Sequence, residues 1–357
     1  MISLGMRAAM LMAVAAVVAV GCGDDDSGDD GSQASQGGGE VVYSLPTPPS
    51  LLFYPALVAE ELGFFEEENV TAELAPAAEE ISSTAFLDNG DADVSFADVD
   101  EIILARSKGG EHQAIFSPQH TNTAGIVVPA GSDITDINGV VGKTVGLDSE
   151  ESTRLLDAML DAAGVNKDDV ETAVVGTSGA LVAKTLEDGD IHAYVGNASD
   201  FTALAANGVD LENITPDDVG RIDGNPLAVL PDTLAEKRDA IVGFLRAWAK
   251  AQHVGQVNRE AVEQIVRDAV PAEWRNEASG EAALDLAIEL MKPDDPERIG
   301  DLRADVWETG QDVLVRAGIM DEKGDVSAAL NDELIEEIND FDRAEVEQAA
   351  EDYMAEK

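Results

Sequence analysis

Carboxylates, hydroxyls, amides and aromatic rings follow several short apolar runs of this 357-residue chain. Ligands of open α/β sheets gather at the carboxyl ends of the strands, so these side chains are candidates for a binding site. A carboxylate can accept two hydrogen bonds from an amino-heterocycle or pair with a cation, and aromatic rings can stack on a flat ring. We therefore predict a site for a small, flat, neutral or cationic molecule. The candidate ligand contacts are Ser50, Phe53, Tyr54, Ser95, Asp98, Gln119, Asn122, Asp148, Ser149, Ser152, Tyr194, Asn197 and Asp200.

Structural roles compete with ligand binding at these positions. Ser, Thr, Asn and Asp favour helix N-caps, so half or more of the polar candidates can serve as caps. Core packing is the competing role for Phe53 and Tyr54. An anionic ligand is also an alternative, because helix N-termini bind anions through backbone N–H groups. However, the candidate loops contain no lysine, and Asp98, Asp148 and Asp200 would repel a sulfonate or nitrate.

Catalytic signatures are weak in this sequence. The four histidines stand singly, without the spacing of metal ligands, and the one cysteine precedes the predicted fold. Residues 88–100 are rich in acids, but their glycine is at the third position rather than the sixth that a calcium loop requires. No phosphate-binding glycine loop or nucleophile elbow is present. We therefore predict a protein that is not an enzyme and that holds no metal and no cofactor.

The elements that must position the candidate residues repeat once along the chain. Residues 87–94 (LDNGDADV) are echoed by residues 186–193 (LEDGDIHA). In each copy a helical pattern stops at a Gly-Asp turn, where glycine adopts the left-handed conformation cheaply, and an apolar strand follows. Strands that alternate with helices favour parallel sheets. The repeat therefore predicts two similar α/β lobes with a cleft between them.

Charge excludes two classes of partner. The chain carries 72 Asp and Glu against 22 Lys and Arg, a formal net charge of −50. Such a field repels nucleic-acid phosphates and anionic lipid surfaces. The hydrophobic content of 45% is enough for packed cores, and the length allows two domains.

The N-terminus has the pattern of a secretion signal. Residues 8–20 form an apolar run that is too short to span a bilayer, which needs roughly 20 residues, and that is typical of a signal-peptide core. The following Gly21-Cys22 completes a resemblance to a bacterial lipobox. We predict a lipoprotein signal peptide over 1–21, lipid on Cys22, and a flexible acidic Gly/Ser tether over 22–40. An ordinary secretory signal is the alternative.

Four motifs resemble one family of extracytoplasmic solute-binding proteins. Residues 54–70 (YPALVAEELGFFEEENV) resemble its opening signature, and residues 90–94 (GDADV) are its next landmark. Residues 136–146 (DINGVVGKTVG) resemble the start of its second lobe, and residues 186–193 match the repeat there, with His192 where the family usually has Asp. The family serves ABC importers for taurine, alkanesulfonates, nitrate and thiamine-pyrimidine precursors.

The resemblance implies an α/β fold of the two-lobe, type II periplasmic-binding-protein class, with two crossover segments and a helical C-terminal region. We expect the first lobe over 41–128 and 225–357, with the C-terminal helices, and the second over 129–224. Hinges are expected near Val128 and Pro129 and near residues 223–225.

The implied function is that of a lipid-anchored, monomeric binding component of an ABC importer. It would capture an aminopyrimidine or thiamine-precursor-like heterocycle by cleft closure and deliver it to a permease with its ATPase. We expect it outside the cytoplasm, in the periplasm or on the outer face of the cytoplasmic membrane, and held to the membrane by its lipid only. Alternatives are a sulfonate, taurine or nitrate binding protein, a sensory lipoprotein, and an enzyme, because the resemblance extends to a pyrimidine-synthesising enzyme.

Overall fold

The strands of the protein form two five-stranded sheets. The computed structural model describes residues 38–46, 48–75, 81–316 and 318–357. The strands are β1 (Gly39–Ser44), β2 (Val70–Leu74), β3 (Val94–Phe96), β4 (Gln113–Phe116), β5 (Ala124–Pro129), β6 (Thr144–Leu147), β7 (Glu171–Val174), β8 (Ala193–Asn197), β9 (Leu211–Asn213) and β10 (Leu227–Val229).

Helices connect these strands and make up the C-terminal part of the chain. They are α1 (Tyr54–Glu61), α2 (Phe64–Glu67), α3 (Ser83–Asn89), α4 (Val99–Ser107), α5 (Ser152–Ala162), α6 (Gly179–Glu187), α7 (Ala198–Ala206), α8 (Asp217–Gly220), α9 (Pro231–Val257), α10 (Arg259–Ala269), α11 (Glu277–Leu290), α12 (Ala304–Arg316), α13 (Ile335–Ile338) and α14 (Arg343–Glu356).

The two sheets have the same topology. The first has the order β2-β1-β3-β10-β4, and the second has the order β7-β6-β8-β5-β9. In each sheet the fourth strand runs antiparallel to both its neighbours. That strand is reached by a crossing of the chain, since β10 follows the second sheet and β5 precedes the rest of it. Each sheet with its covering helices is called a lobe below, and the predicted two-lobe α/β fold is confirmed.

Alternating burial explains why the fourth strands are held in their sheets. In β10, Leu227 and Val229 pack into one core while Ala228 packs into the core on the opposite face. In β5, Val127 likewise packs on the face opposite to Ile126 and Val128. Successive side chains of a strand point to opposite faces, so both strands are buried on both sides.

The repeated Gly-Asp units occupy equivalent places in the two lobes. Helix α3 ends at Gly90, whose φ is 72°, and strand β3 follows. Helix α6 is followed by Gly189, whose φ is 76°, and then by β8. Both strands are third in their sheets. The left-handed φ explains why glycine stands at both turns.

The first crossing lies earlier than we predicted. Strand β5 hydrogen-bonds to β8 and β9, so Val128 and Pro129 belong to a strand of the second lobe and do not form a hinge. The chain crosses between the lobes at residues 117–123 instead. It returns at residues 221–226, which include the predicted hinge residues 223–225.

Two C-terminal helices contact the second lobe as well as the first. Helix α11 packs against α7, and α12 packs against α4 of the first lobe and against α5 and α8 of the second. Trp307 and Leu314 of α12 belong to a core of the first lobe, whereas Val313 belongs to a core of the second. Helix α12 therefore bridges the lobes.

The N-terminal predictions fall mostly outside the described residues. The signal peptide, Cys22 and its lipid, and the tether up to residue 37 lie there. The predicted end of the tether at residue 40 is wrong, because β1 begins at Gly39 and pairs with β2 from that residue. Among the helices that are described, none has the length and apolar character needed to cross a membrane.

Candidate functional site

A cavity of about 520 Å³ is lined by residues of both lobes and of α12. The first lobe contributes the start of α4, and the second contributes the β6–α5 loop and the end of β8. Residues of both crossings, 122–123 and 222–224, and one face of α12 complete the wall. Clefts of this kind between lobes are common sites for small ligands.

Asp98 is the most strongly perturbed acid of this cavity. It stands at the N-cap of α4, but its side chain accepts no hydrogen bond from that helix. Asn225 Nδ2 donates to Asp98 Oδ1 at 2.6 Å instead. The Asp98 side chain is exposed to solvent through the cavity, and the protein on its other sides reduces its hydration. This desolvation, with the charges of Asp100 and Glu101, raises the pKa of Asp98 to about 7, and Asn225 opposes the shift.

Asp148, Ser149 and Ser152 form a second polar group in the loop before α5. Ser152 Oγ donates to Asp148 Oδ1, and the hydroxyls of Ser149 and Ser152 are 3.4 Å apart. The N-cap of α5 is Glu151, and its side chain makes no capping bond. Asp148 is therefore not used as a helix cap, and its second oxygen can accept a hydrogen bond from a ligand.

Asp223 lines the cavity from the second crossing. The side chains of Arg303 and Trp307 donate hydrogen bonds to its carboxylate. Arg303 Nε donates to Asp223 Oδ1 at 3.0 Å, and Trp307 Nε1 donates to Oδ2 at 3.3 Å. Burial raises the pKa of the Asp223 carboxyl, and the charge of Arg303 opposes that shift. This carboxylate stabilises the crossing and leaves less hydrogen-bonding capacity for a ligand.

The cavity is acidic, with one positive charge. Its acids are Asp98, Asp100, Asp148, Glu151 and Asp223. Arg154, on the first turns of α5, is the one basic side chain among the described lining residues. Its charge lowers the pKa of Asp100, although desolvation dominates and leaves that pKa raised. In the part of the chain described, no three His, Cys, Asp or Glu side chains are grouped so that they could hold a metal ion.

The structure brings six of the predicted ligand contacts together around this cavity. They are Asp98, Asn122, Asp148, Ser149, Ser152 and Asn197. The two amides among them already serve the backbone. Asn122 Oδ1 accepts from Ala124 N at 3.0 Å, and Asn197 caps α7 by accepting from Ser199 N at 3.0 Å.

The predicted aromatic contacts lie in the cores of the lobes. Phe53 packs edge-on against Phe96 with ring centroids 5.5 Å apart. The hydroxyl of Tyr54 donates to Gln252 O at 3.3 Å, and that of Tyr194 donates to Gly176 O at 3.0 Å. All three rings are buried, and none lines the cavity, because their apolar surface is used for packing.

The other four predicted contacts lie outside the lining of the cavity. Asp200 Oδ2 accepts from Asn197 N at 3.0 Å and completes a capping box at α7. Gln119 Oε1 accepts from Asn225 N at 3.4 Å. The hydroxyls of Ser95 and Ser44 are 2.5 Å apart in the first sheet. Ser50 Oγ is buried without a hydrogen-bond partner among the described residues. None of these four side chains lines the cavity.

The sequence did not indicate the α12 wall, and it placed Arg154 near the candidate loops without giving it a role in the site. Gly310, Val313 and Leu314 of α12 line the cavity, and nothing local in the sequence marks that helix as a neighbour of α4 and α5. Arg154 was available to sequence reasoning, because it lies two residues after the candidate Ser152 on the same helix.

Comparisons with known proteins agree with this architecture. The family model described as NMT1/THI5 like matches residues 52–255. A curated relative, the 4-amino-5-hydroxymethyl-2-methylpyrimidine phosphate synthase of Legionella pneumophila, is 25% identical over 122 residues, which are 34% of this chain and 39% of that protein. The chain thus matches well under half of the length of that relative.

Solved structures show the same fold. The periplasmic aliphatic sulphonate binding protein SsuA of Escherichia coli superposes with a TM-score of 0.61 at 15% identity, over 81% of this chain and 96% of that chain. A putative periplasmic sulfonate-binding protein SsuA of Methylobacillus flagellatus gives 0.61 at 16% identity, over 85% and 94%.

The prediction that the chain is not an enzyme is corrected by these comparisons. The curated relative is a synthase, so the sequence similarity extends to an enzyme. The lack of familiar catalytic motifs was therefore too weak a reason to exclude catalysis.

Proposed function

The chain belongs to the NMT1/THI5-like family, and from this membership we propose that it is the solute-binding component of an ABC importer. It captures a small organic solute between its lobes and presents the closed form to a permease served by an ATPase. The observation that carries this proposal is the cavity of about 520 Å³, to which both lobes and the second crossing contribute residues.

The ligand that suits this cavity is a flat, neutral or cationic heterocycle of the aminopyrimidine or thiamine-precursor type. Asp98 and Asp148 each keep an oxygen that can accept from an exocyclic amine. Asp223 is already paired with Arg303, but the other four lining acids outnumber the one lining arginine, which favours a cation over an anion. The synthase named above also handles a pyrimidine of this class, by its name.

Closure turns on the two crossings, at residues 117–123 and 221–226. Rotation there brings the α4 wall and the β6–α5 loop together around the ligand. The mature protein is a monomer held outside the cytoplasm by lipid on Cys22, and the resemblance of residues 19–22 (AVGC) to a lipobox supports this attachment point.

Calorimetric titration of the purified protein tests the proposal. The probes are 4-amino-5-hydroxymethyl-2-methylpyrimidine, thiamine, methanesulfonate and nitrate. We expect stoichiometric binding of the pyrimidine or of thiamine, and no binding of the two anions. Protein that binds only an anion would keep the importer function and overturn the heterocycle, and protein that binds none of the probes would contradict both.

A sulfonate-binding protein is the second candidate, favoured by Arg154 in the cavity and by the SsuA structures. A pyrimidine-synthesising enzyme is the third, favoured by the curated relative. Mass spectrometry of ligand recovered after incubation separates the last from the others, because an importer component returns its ligand unchanged.

A further inference from the structure

Three glycines line the cavity, Gly196, Gly224 and Gly310. A glycine in a folded protein is usually needed for one of two reasons. Its backbone adopts a left-handed φ, or a neighbour stands where its Cβ would be. A third need, peculiar to binding sites, is empty space that a ligand fills.

Packing accounts for two of these glycines. A Cβ on Gly196 would lie 2.7 Å from Cε1 of Tyr194 and 2.8 Å from Oδ2 of Asp200. A Cβ on Gly224 would collide with Oε1 of Gln119 and lie 2.9 Å from its Cβ. All of these distances are shorter than real Cβ contacts, so these positions require glycine for the fold itself.

Neither need accounts for Gly310. It is buried inside α12, and its φ is not in the left-handed region. A Cβ there would meet Val99 Cγ1 at 3.5 Å and Ile103 Cδ1 at 3.9 Å, which are ordinary van der Waals distances. Glycine is also among the least favourable residues in a helix interior, whereas alanine is the most favourable. The fold alone would therefore be better served by alanine.

We propose that Gly310 is a specificity-determining residue that keeps α12 flat where the ligand packs against it. The inference rests on the proposed function and adds α12 as the wall that limits the size of the ligand. Val313 and Leu314 lie on the same helix and line the same cavity, so α12 offers an apolar surface beside the carboxylates of the other walls. A flat ring packs on such a surface, while its amino groups reach Asp98 and Asp148.

One substitution, Gly310→Ala, should change stability and binding in opposite directions. Gly310→Ala should stabilise the ligand-free protein, through helix propensity and new contacts with Val99 and Ile103. The same methyl group should weaken binding, because it occupies space that the ligand needs. We expect ligand-free Gly310→Ala to unfold at a higher urea concentration than the wild type and to bind ligand about tenfold more weakly. Gly310→Leu should bind at least a hundredfold more weakly.

Gly220→Ala is the matched control. Gly220 ends α8, its Cβ would meet Thr215 Cγ2 at 3.7 Å, and it does not line the cavity. Each full-length variant is titrated with 4-amino-5-hydroxymethyl-2-methylpyrimidine, thiamine, methanesulfonate and nitrate, and each is unfolded in urea without ligand. Gly220→Ala should bind like the wild type.

Each outcome decides the matter. A ligand-free Gly310→Ala protein that is less stable than the wild type would mean that packing requires the glycine, and the inference would be wrong. Unchanged affinity in Gly310→Ala, or equal weakening in Gly220→Ala, would overturn it while leaving the proposed function intact. Wild-type protein that binds none of the four probes would instead remove the proposed function and the inference with it.

Discussion

Arg303 and Asp223 form an ion pair in which the aspartate side chain has no exposure to solvent, with Nε donating to Oδ1 at 3.0 Å. The same guanidinium donates from Nη2 to His120 O at 2.8 Å and to Arg221 O at 3.0 Å. His120 belongs to the first crossing, and Arg221 and Asp223 belong to the second. One side chain, immediately before α12, thus holds both segments about which the lobes would rotate.

Breaking this pair should be costly. Arg303→Ala leaves the Asp223 carboxylate buried without its cation, and we expect a loss of about 3–5 kcal/mol in the free energy of unfolding. The control is Arg298→Ala, which removes a pair with Asp301 that is largely exposed, with Nη2 and Oδ1 2.6 Å apart. It should cost less than about 1 kcal/mol. Urea unfolding measures both, and similar losses in the two variants would contradict the prediction.

Asp98 should make the protein more stable in mild acid. Its pKa is about 7 in the folded protein against an ordinary value of 3.8. Between these values the folded state keeps a proton that the unfolded state has released, so this contribution is fully present below pH 3.8 and is lost as pH rises through 7.

Urea unfolding at pH 5 and pH 8 tests the sign of that contribution. The wild type should lose more stability than Asp98→Asn on going from pH 5 to pH 8, because the amide cannot ionise. Asp91→Asn, which removes an exposed acid beside the Gly90 turn, should keep the wild-type difference. An Asp98→Asn protein with the full pH dependence would show that the carboxyl titrates as an ordinary surface acid.

Arg154 should oppose a cationic ligand. Removal of its charge in Arg154→Ala should tighten thiamine binding by about three- to tenfold, because a nearby like charge is lost from the cavity. Lys143→Ala removes an equal charge from an exposed residue outside the cavity and should change affinity little. If Arg154→Ala weakens thiamine binding, or abolishes binding of methanesulfonate, the arginine is an anion contact and the ligand carries negative charge.

Asp148 should contribute a charge-assisted hydrogen bond to a heterocyclic ligand. Asp148→Asn keeps the size of the side chain and the hydroxyl contact from Ser152, but it replaces one acceptor oxygen with a donor. We expect binding of 4-amino-5-hydroxymethyl-2-methylpyrimidine to weaken about tenfold in calorimetry. Asp168→Asn, in the turn Lys167–Asp169 outside the cavity, is the matched change and should bind normally. Equal affinity for both variants would remove Asp148 from the site.

Tyr54 should act in the core and not on the ligand. Tyr54→Phe removes one hydroxyl that donates to Gln252 O and leaves the buried ring in place. The free energy of unfolding should fall by about 1 kcal/mol, and affinity for any bound probe should stay the same. Weaker binding by the phenylalanine variant would restore Tyr54 as a ligand contact.

Local patterns in the sequence predicted the elements well and the walls of the site only in part. The Gly-Asp turns at Gly90 and Gly189 predicted where helices end and strands begin, since φ preference is local. Asp98 and Asp148 were found because the carboxyl ends of strands can be located from short apolar runs. The Asn197 and Asp200 capping box was also a local pattern, and its spacing explains why those residues serve α7.

Contacts between distant segments could not be predicted in this way. Alternation along β5 requires burial on both faces, but it does not say which sheet accepts the strand, and the first hinge was misplaced for that reason. The approach of Gly310 to Val99 joins residues far apart in the chain, and no motif near either residue indicates it. Phe53 and Tyr54 had two competing roles, and the size of their apolar surface favours the core.

The fourth strands of the two sheets, β10 and β5, also determine the order in which the sheets can be completed. Every strand of the second sheet lies within residues 124–213, so that sheet can assemble as soon as this continuous segment is available. The first sheet needs β10 to join β3 to β4, and therefore remains open until the whole second lobe has been made. Pairings between distant segments form slowly, because the chain loses the entropy of loop closure before it gains the favourable contacts. In pulse-labelled hydrogen exchange during refolding, amides of β6 and β8 should be protected before those of β3 and β4.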